Sequence, residues 1–182
     1  MPTAFTRPRS PAFAGTQGTF ELSWELFGET CRALAVRVAR DYRPDIVIGV
    51  ATAGVIPAAT VAAMLEADFD ALKVSRRDGD TMRAAPRILS ATPVRCRGRR
   101  VLIVDEITTS GDTLRLALAA VREVGPSDVR TATCYVRPGG YRPNYFSMET
   151  DQLIVYPWDR QTVTDGELVT APHYEGRAPA RI

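Results

Sequence analysis

Three apolar runs, DIVIGV at 45–50, RVLIVDE at 100–106 and VRTATCYV at 129–136, restrict the architecture more than any other feature. Runs this short, rich in β-branched residues, suit strands buried on both faces, as in a parallel sheet. Parallel neighbours need crossover connections, and helical patterns lie where crossovers are required: VIPAATVAAML at 55–65 and the stretch from Gly111 to Val124. DALKVS at 70–75 and DQLIVYP at 151–157 supply two more strands. Ser23 is placed to cap a helix running to about Arg40, with Leu26, Phe27, Thr30, Cys31, Leu34 and Val38 on one face. The expectation is an α/β fold with a mostly parallel central sheet, helices on both faces and ligands at the carboxyl ends of the strands.

A chain of 182 residues fits one domain with a sizeable core. The first 19 residues hold three prolines and two glycines without periodicity and read as a flexible arm. Residues 76–98 match neither the helical nor the strand period and read as a long loop of the functional or mobile kind.

With 45% hydrophobic and 24% charged residues the composition is that of a soluble globular protein. No apolar run approaches the roughly 20 residues that span a bilayer, and the N-terminal stretch lacks the apolar core of a secretion signal, so a cytoplasmic location is expected. Cys31, Cys96 and Cys134 have no metal-type spacing and read as reduced core residues. The formal charge of +2 does not point to nucleic acid. The arginines at 76, 77, 83, 87, 95, 97, 99 and 100, set against Asp78 and Asp80, form either a face that an anion approaches or a solvated basic loop.

VLIVDEITTSGDTL, residues 101–114, carries the chemistry. Asp105 and Glu106 emerge at the carboxyl end of their strand, and the helix that follows turns its free N–H groups to the same place. Such helix N-termini bind phosphate. Thr108, Thr109, Ser110 and Thr113 add hydroxyl donors, and Gly111 lets the backbone approach an anion without a Cβ. The carboxylates would repel that phosphate, so they suit a neighbouring group rich in hydrogen-bond donors, such as a ribose diol. A 5-phosphoribosyl group satisfies both halves. No G-x-x-x-x-G-K-[ST] or strand-linked G-x-G-x-x-G is present, which argues against P-loop and dinucleotide sites.

Residues 101–114 resemble the phosphoribosyl-pyrophosphate motif of type I phosphoribosyltransferases, in which four apolar residues, two acids and a T/S/G-rich turn follow in that order. The resemblance spans about residues 20–160 and is closest to the purine-salvage branch, whose leading helix resembles LSWELFGETCRALAVRVA and whose PWD segment resembles VYPWDR. It implies the type I fold with a small hood at about 137–160, between an arm at 1–19 and a tail at 161–182. By resemblance Asp105 and Glu106 bind the ribose hydroxyls and form the catalytic pair. The segment Thr108, Thr109, Ser110, Gly111, Asp112 and Thr113 binds the 5′-phosphate. Thr52, Ala53 and Gly54 fall at the pyrophosphate loop, where relatives commonly carry a basic residue and a strained or cis peptide. Thr52 replaces that basic residue, and Arg76, Arg77, Arg83 or Arg87 is expected to supply the charge from a closing loop. Lys73, the only lysine, is either a ligand contact or solvated.

Further implications concern the base and the metal. Arg137 stands where many 6-oxopurine enzymes have a lysine on O6 and N7, and Leu153 and Ile154 lie where side chain and backbone meet the ring. Asp159 either helps order a metal-bound water or serves a turn, and Trp158 and Tyr156 read as core or interface aromatics. Thr109 departs from the branch, which usually has an aspartate there for the N7 proton; orotate-type relatives have threonine. The implied reaction transfers the phosphoribosyl group of 5-phosphoribosyl 1-pyrophosphate (PRPP) to a nucleobase with Mg²⁺ as cofactor. A 6-oxopurine is the expected acceptor, with a pyrimidine or other acceptor, or a non-catalytic PRPP sensor, as competing readings. A homodimer or homotetramer is expected, with neither membrane nor nucleic acid as partner. His173, the only histidine, reads as a tail residue.

Overall fold

The computed structural model describes residues 16–78 and 81–174, apart from the side chains of residues 77, 78, 81, 82 and 173. The first half of the chain runs β1 (Thr19–Glu21), α1 (Trp24–Ala39), β2 (Ile46–Ala51), α2 (Val55–Leu65), β3 (Asp68–Asp78) and β4 (Thr81–Ile88). After a 3₁₀ turn at Val94–Cys96 come β5 (Arg100–Thr108), α3 (Asp112–Val124), β6 (Asp128–Val136) and β7 (Tyr145–Glu149). The last strands are β8 (Leu153–Val155), β9 (Gln161–Thr164) and β10 (Glu167–Thr170).

Two compact units result, one made of Gly28–Thr150 and one of the residues before and after it. The larger unit holds a six-stranded sheet of order β4-β3-β2-β5-β6-β7, parallel except where β4 runs antiparallel to β3. Ile46, Ile48 and Val50 of β2 and Val101 and Ile103 of β5 share a buried cluster with Leu114, Ala117 and Val121 of α3. Gly49, on the opposite face of β2, lies against Ala58 and Val55 of α2. Burial on both faces explains why these strands show no polar alternation. Ser23 caps α1 as expected, its Oγ accepting from the Leu26 N–H at 3.2 Å. Leu26 itself is exposed, so the buried stripe starts at Phe27.

Residues 76–78 and 81–88 correct the expected loop: they continue β3 and form β4, an antiparallel pair with a register shift between Ser75 and Arg77. β4 is an edge strand, and an edge tolerates the polar residues and Pro86 that hid it from a periodicity reading. The turn-rich stretch after Arg137 likewise leads into β7, and the side chain of Asn144 just before that strand accepts the Thr131 N–H at 2.9 Å. In the smaller unit β1 pairs in parallel with β8, and β9 pairs with β10 as an exposed hairpin within the segment read as a tail. Leu153, Val155, Ala171 and Tyr174 form its core. No helix among the described residues is long and apolar enough to cross a membrane. The cysteines are free and buried.

Candidate functional site

The carboxyl ends of β2 and β5 bring two turns into contact. Gly54, which opens α2, packs so closely on Asp105 that a Cβ there would lie 2.6 Å from Asp105 Oδ1 and 2.9 Å from its Cα. Only glycine fits without displacing backbone. The preceding Ala51–Thr52 peptide is cis, and Thr52 is exposed beside it. The small-residue turn at 51–54 therefore lies against the acid pair.

Asp105 is buried, and its Oδ1 accepts the Glu106 N–H at 2.9 Å. Burial, followed by the charge of Glu106, pushes its carboxyl well above the usual aspartate range. Two adjacent acids, one of them desolvated, suit a ligand that brings positive charge or hydroxyl donors. Among the described residues no group of three or more His, Cys, Asp or Glu gathers as a metal cage.

Past the acids the chain turns through Thr109 and Ser110, both exposed, into Gly111, which has φ +80° and caps α3. Thr108 O accepts from the Arg137 N–H at 3.1 Å, and Thr109 O from the Tyr141 N–H at 2.8 Å. Ser110 O accepts from Arg115 Nη1 at 2.7 Å. Ser110 Oγ donates to Asp112 Oδ2 at 2.9 Å, and Asp112 is ion-paired with Arg76. These contacts to Ser110 and Arg76 hold the Asp112 carboxyl below its ordinary value.

Arg76 reaches this turn from β3, anchored by Nη1 to Ala84 O at 2.7 Å, with Nη2 3.5 Å from Ser110 Oγ. Its observed partners thus belong to the phosphate turn. The side chain of Arg77 lies outside the described residues. Arg95 and Arg99 bind Asp68, and Arg100 binds Asp45, where strands begin and away from the acid pair. That half of the arginine cluster is structural. Lys73 is exposed on β3.

Arg137 follows β6, and its Nη1 donates to Thr150 O at 3.1 Å. Leu153 and Ile154 are buried in β8 of the smaller unit, where Leu153 N donates to Gly18 O at 3.0 Å. Asp159 lies in the same unit, its N–H on Tyr156 O at 3.1 Å and its Oδ2 accepting from Tyr174 OH at 3.2 Å, an arrangement that serves the turn. Trp158 packs with Phe27, at 4.9 Å between ring centroids, and with Tyr156 at 4.7 Å. Sequence reasoning missed Tyr141, Gly140 and Arg115, which cluster around Gly111; a glycine pair followed by an aromatic, in a turn after a strand, was the available signal.

A strand carrying two acids near its carboxyl end, a glycine-opened helix beyond it and a small-residue turn with a cis peptide pressed against the acids are thus on one face. The phosphoribosyl transferase domain model matches residues 22–164. The chain belongs to this family. As a phosphoribosyltransferase it is 30% identical over 158 residues to the xanthine-guanine phosphoribosyltransferase of Nitratidesulfovibrio vulgaris, covering 84% of this chain and 92% of that one. The crystal structure of a purine phosphoribosyltransferase from Pyrococcus horikoshii matches with TM-score 0.69 and 27% identity, over 82% of this chain and 99% of that chain. The Helicobacter pylori xanthine-guanine-hypoxanthine phosphoribosyltransferase matches in fold, with TM-score 0.68, 19% identity and coverage of 77% and 93%. The phosphoribosyltransferase therefore has the type I fold, as its motif implies.

Proposed function

We propose that this phosphoribosyltransferase moves the 5-phosphoribosyl group of PRPP onto a purine base, giving a nucleoside 5′-monophosphate and pyrophosphate in salvage. The acceptor is a 6-oxopurine: guanine, hypoxanthine or xanthine. One observation carries the reading: the buried Asp105 and its neighbour Glu106 lie between the small-residue turn at Gly54 and the turn that opens α3. That spacing suits a sugar held by its hydroxyls, with one anionic group on each side. The named relatives, which act on purines, support the choice of base.

The site's work is to hold reactants and shield charge, because the transition state at C1 has oxocarbenium character and needs no protein nucleophile. Asp105 and Glu106 accept from the ribose hydroxyls. The segment Thr108–Thr113 takes the 5′-phosphate, and Thr52, Ala53 and Gly54 take the pyrophosphate by backbone approach. Arg76 brings positive charge to the donor beside the phosphate turn. Arg137 offers donors to the base. Mg²⁺ fits this donor set, since it binds through one or two carboxylates plus substrate phosphates. When bound, it would supply positive charge for the departing pyrophosphate. The enzyme acts in the cytoplasm as a homodimer or homotetramer.

The test is pyrophosphate release from PRPP and Mg²⁺ with guanine, hypoxanthine, xanthine, adenine, orotate and uracil, using Asp105→Asn/Glu106→Gln as the blank. Turnover with a 6-oxopurine that is absent in the blank is expected. Turnover with orotate or uracil alone would transfer the assignment to a pyrimidine enzyme and give Thr109 its orotate-type meaning. Donor binding without turnover on any base would make the protein a sensor.

A further inference from the structure

We infer that Tyr141 and Arg115 are a positioning pair for the phosphate turn, aiming three consecutive backbone amides at the donor's 5′-phosphate. This rests on the reading that the turn holds that phosphate. Three carbonyls in a row, those of Thr108, Thr109 and Ser110, are held by the Arg137 N–H, the Tyr141 N–H and Arg115 Nη1 respectively. In a trans peptide the N–H points opposite to the C=O of the same plane. The cis bond among the described residues is at Ala51–Thr52, so the peptides at 108–111 are trans. Fixing the three carbonyls toward the 137–141 loop and Arg115 therefore turns the N–H groups of Thr109, Ser110 and Gly111 to the other side. Successive amides facing one way form an anion-binding nest.

The Tyr141 ring and the Arg115 guanidinium hold this arrangement from behind. A Cβ on Gly111 would lie 2.3 Å from Tyr141 Cγ and 2.4 Å from its Cβ, so the aromatic residue fills the space that the glycine vacates. Gly140 permits the same approach one residue earlier, its missing Cβ falling 2.7 Å from Thr109 O. The Arg115 guanidinium stacks on the Tyr141 ring with Cζ 4.7 Å from the centroid while its Nη1 holds Ser110 O at 2.7 Å. One cation thus fixes the ring and a carbonyl together. Neither side chain needs to touch the substrate. Both act through the turn.

The test separates this role from general support of the fold. Tyr141→Ala keeps the backbone N–H but removes the ring, Arg115→Gln removes the charge on Ser110 O, and Tyr141→Phe keeps the ring. The donor KM is expected to rise about 10-fold or more in the first two variants, the scale of losing aligned hydrogen bonds to a charged group. In them kcat and the base KM should stay within about two-fold of the parent, with Tyr141→Phe resembling the parent throughout. Titration of the turn with ribose 5-phosphate, followed by thermal shift, should show the same weakening.

A folded Tyr141→Ala whose donor KM is within about two-fold of the parent overturns the inference, as does an equal rise in the base KM. Should Tyr141→Ala not fold, the exposed Arg115→Gln decides by the same readouts. A parent that binds ribose 5-phosphate yet transfers to no base would defeat the proposed reaction while the pair's role is still decided by the titration. A parent that does not bind ribose 5-phosphate defeats both.

Discussion

Asp105 carries an opposition between function and stability that a single substitution exposes. Its folded-state carboxyl titrates well above the 3.8 of an unfolded aspartate because it is buried beside Glu106. For a group raised in this way, the stability it contributes is present below the unfolded value and is lost as the pH rises through the folded one. At neutral pH, without divalent ions or substrate, burial disfavours the charged form of this carboxyl, so Asp105 weakens the fold relative to an uncharged side chain. Asp105→Asn is expected to raise the Tm of the unliganded protein at pH 7 by a few degrees, roughly the effect of 1 kcal/mol in a chain of this size. That gain should shrink toward pH 4, while turnover is lost at every pH. Thermal melts across that range check it, and a lower Tm at pH 7 would contradict it. The acid pair was legible in the sequence because its meaning lies in contiguous residues: four apolar residues, two acids, then a turn. For Tyr141 the glycine pair before it was the one local sign, and its significance depends on Gly111, thirty positions away in the chain and adjacent only after β6 is laid beside β5.

At the scale of elements, the pairing of β3 with β4 divides the arginines into two kinds. Arg76 leaves β3 toward Asp112 at the mouth of α3, whereas Arg95 and Arg99 secure Asp68 where β3 begins. Arg76→Ala should accordingly raise the donor KM several-fold, and Arg95→Ala should leave it within about two-fold, as expected of an exposed ion pair. Steady-state kinetics on the two variants measures the contrast, and equal effects would mean that the cluster acts as one diffuse field. β2 and β5 were readable because burial on both faces imposes an apolar, β-branched composition. β4, β9 and β10 were not, because an edge strand or an exposed hairpin is held by backbone bonds and cross-strand neighbours and accepts nearly any polar residue.

For the whole molecule, the two units differ in the kind of connection that builds them. The larger forms from consecutive crossovers of neighbouring strands, whereas the smaller joins the start of the chain to its end, with Thr19 paired to Leu153 and Glu21 to Val155. Closing so long a loop costs entropy for a three-residue ladder. Amides of β1 and β8 are therefore expected to exchange with solvent faster than those of β2 and β5 in native-state hydrogen exchange, and slower exchange at β1 would refute that. Legibility followed the same division. The crossover order of the larger unit repeats along the sequence, while the β1–β8 pairing carries no local mark.

That pairing also sets an order of events during synthesis. A ribosome delivers β1 early, yet its partner emerges only after the acid pair, the phosphate helix and β6 have left the exit tunnel. The nascent chain can therefore complete its parallel sheet while its first strand still waits, and a transcript truncated before Leu153 would yield a sheet whose leading segment has nothing to pair with.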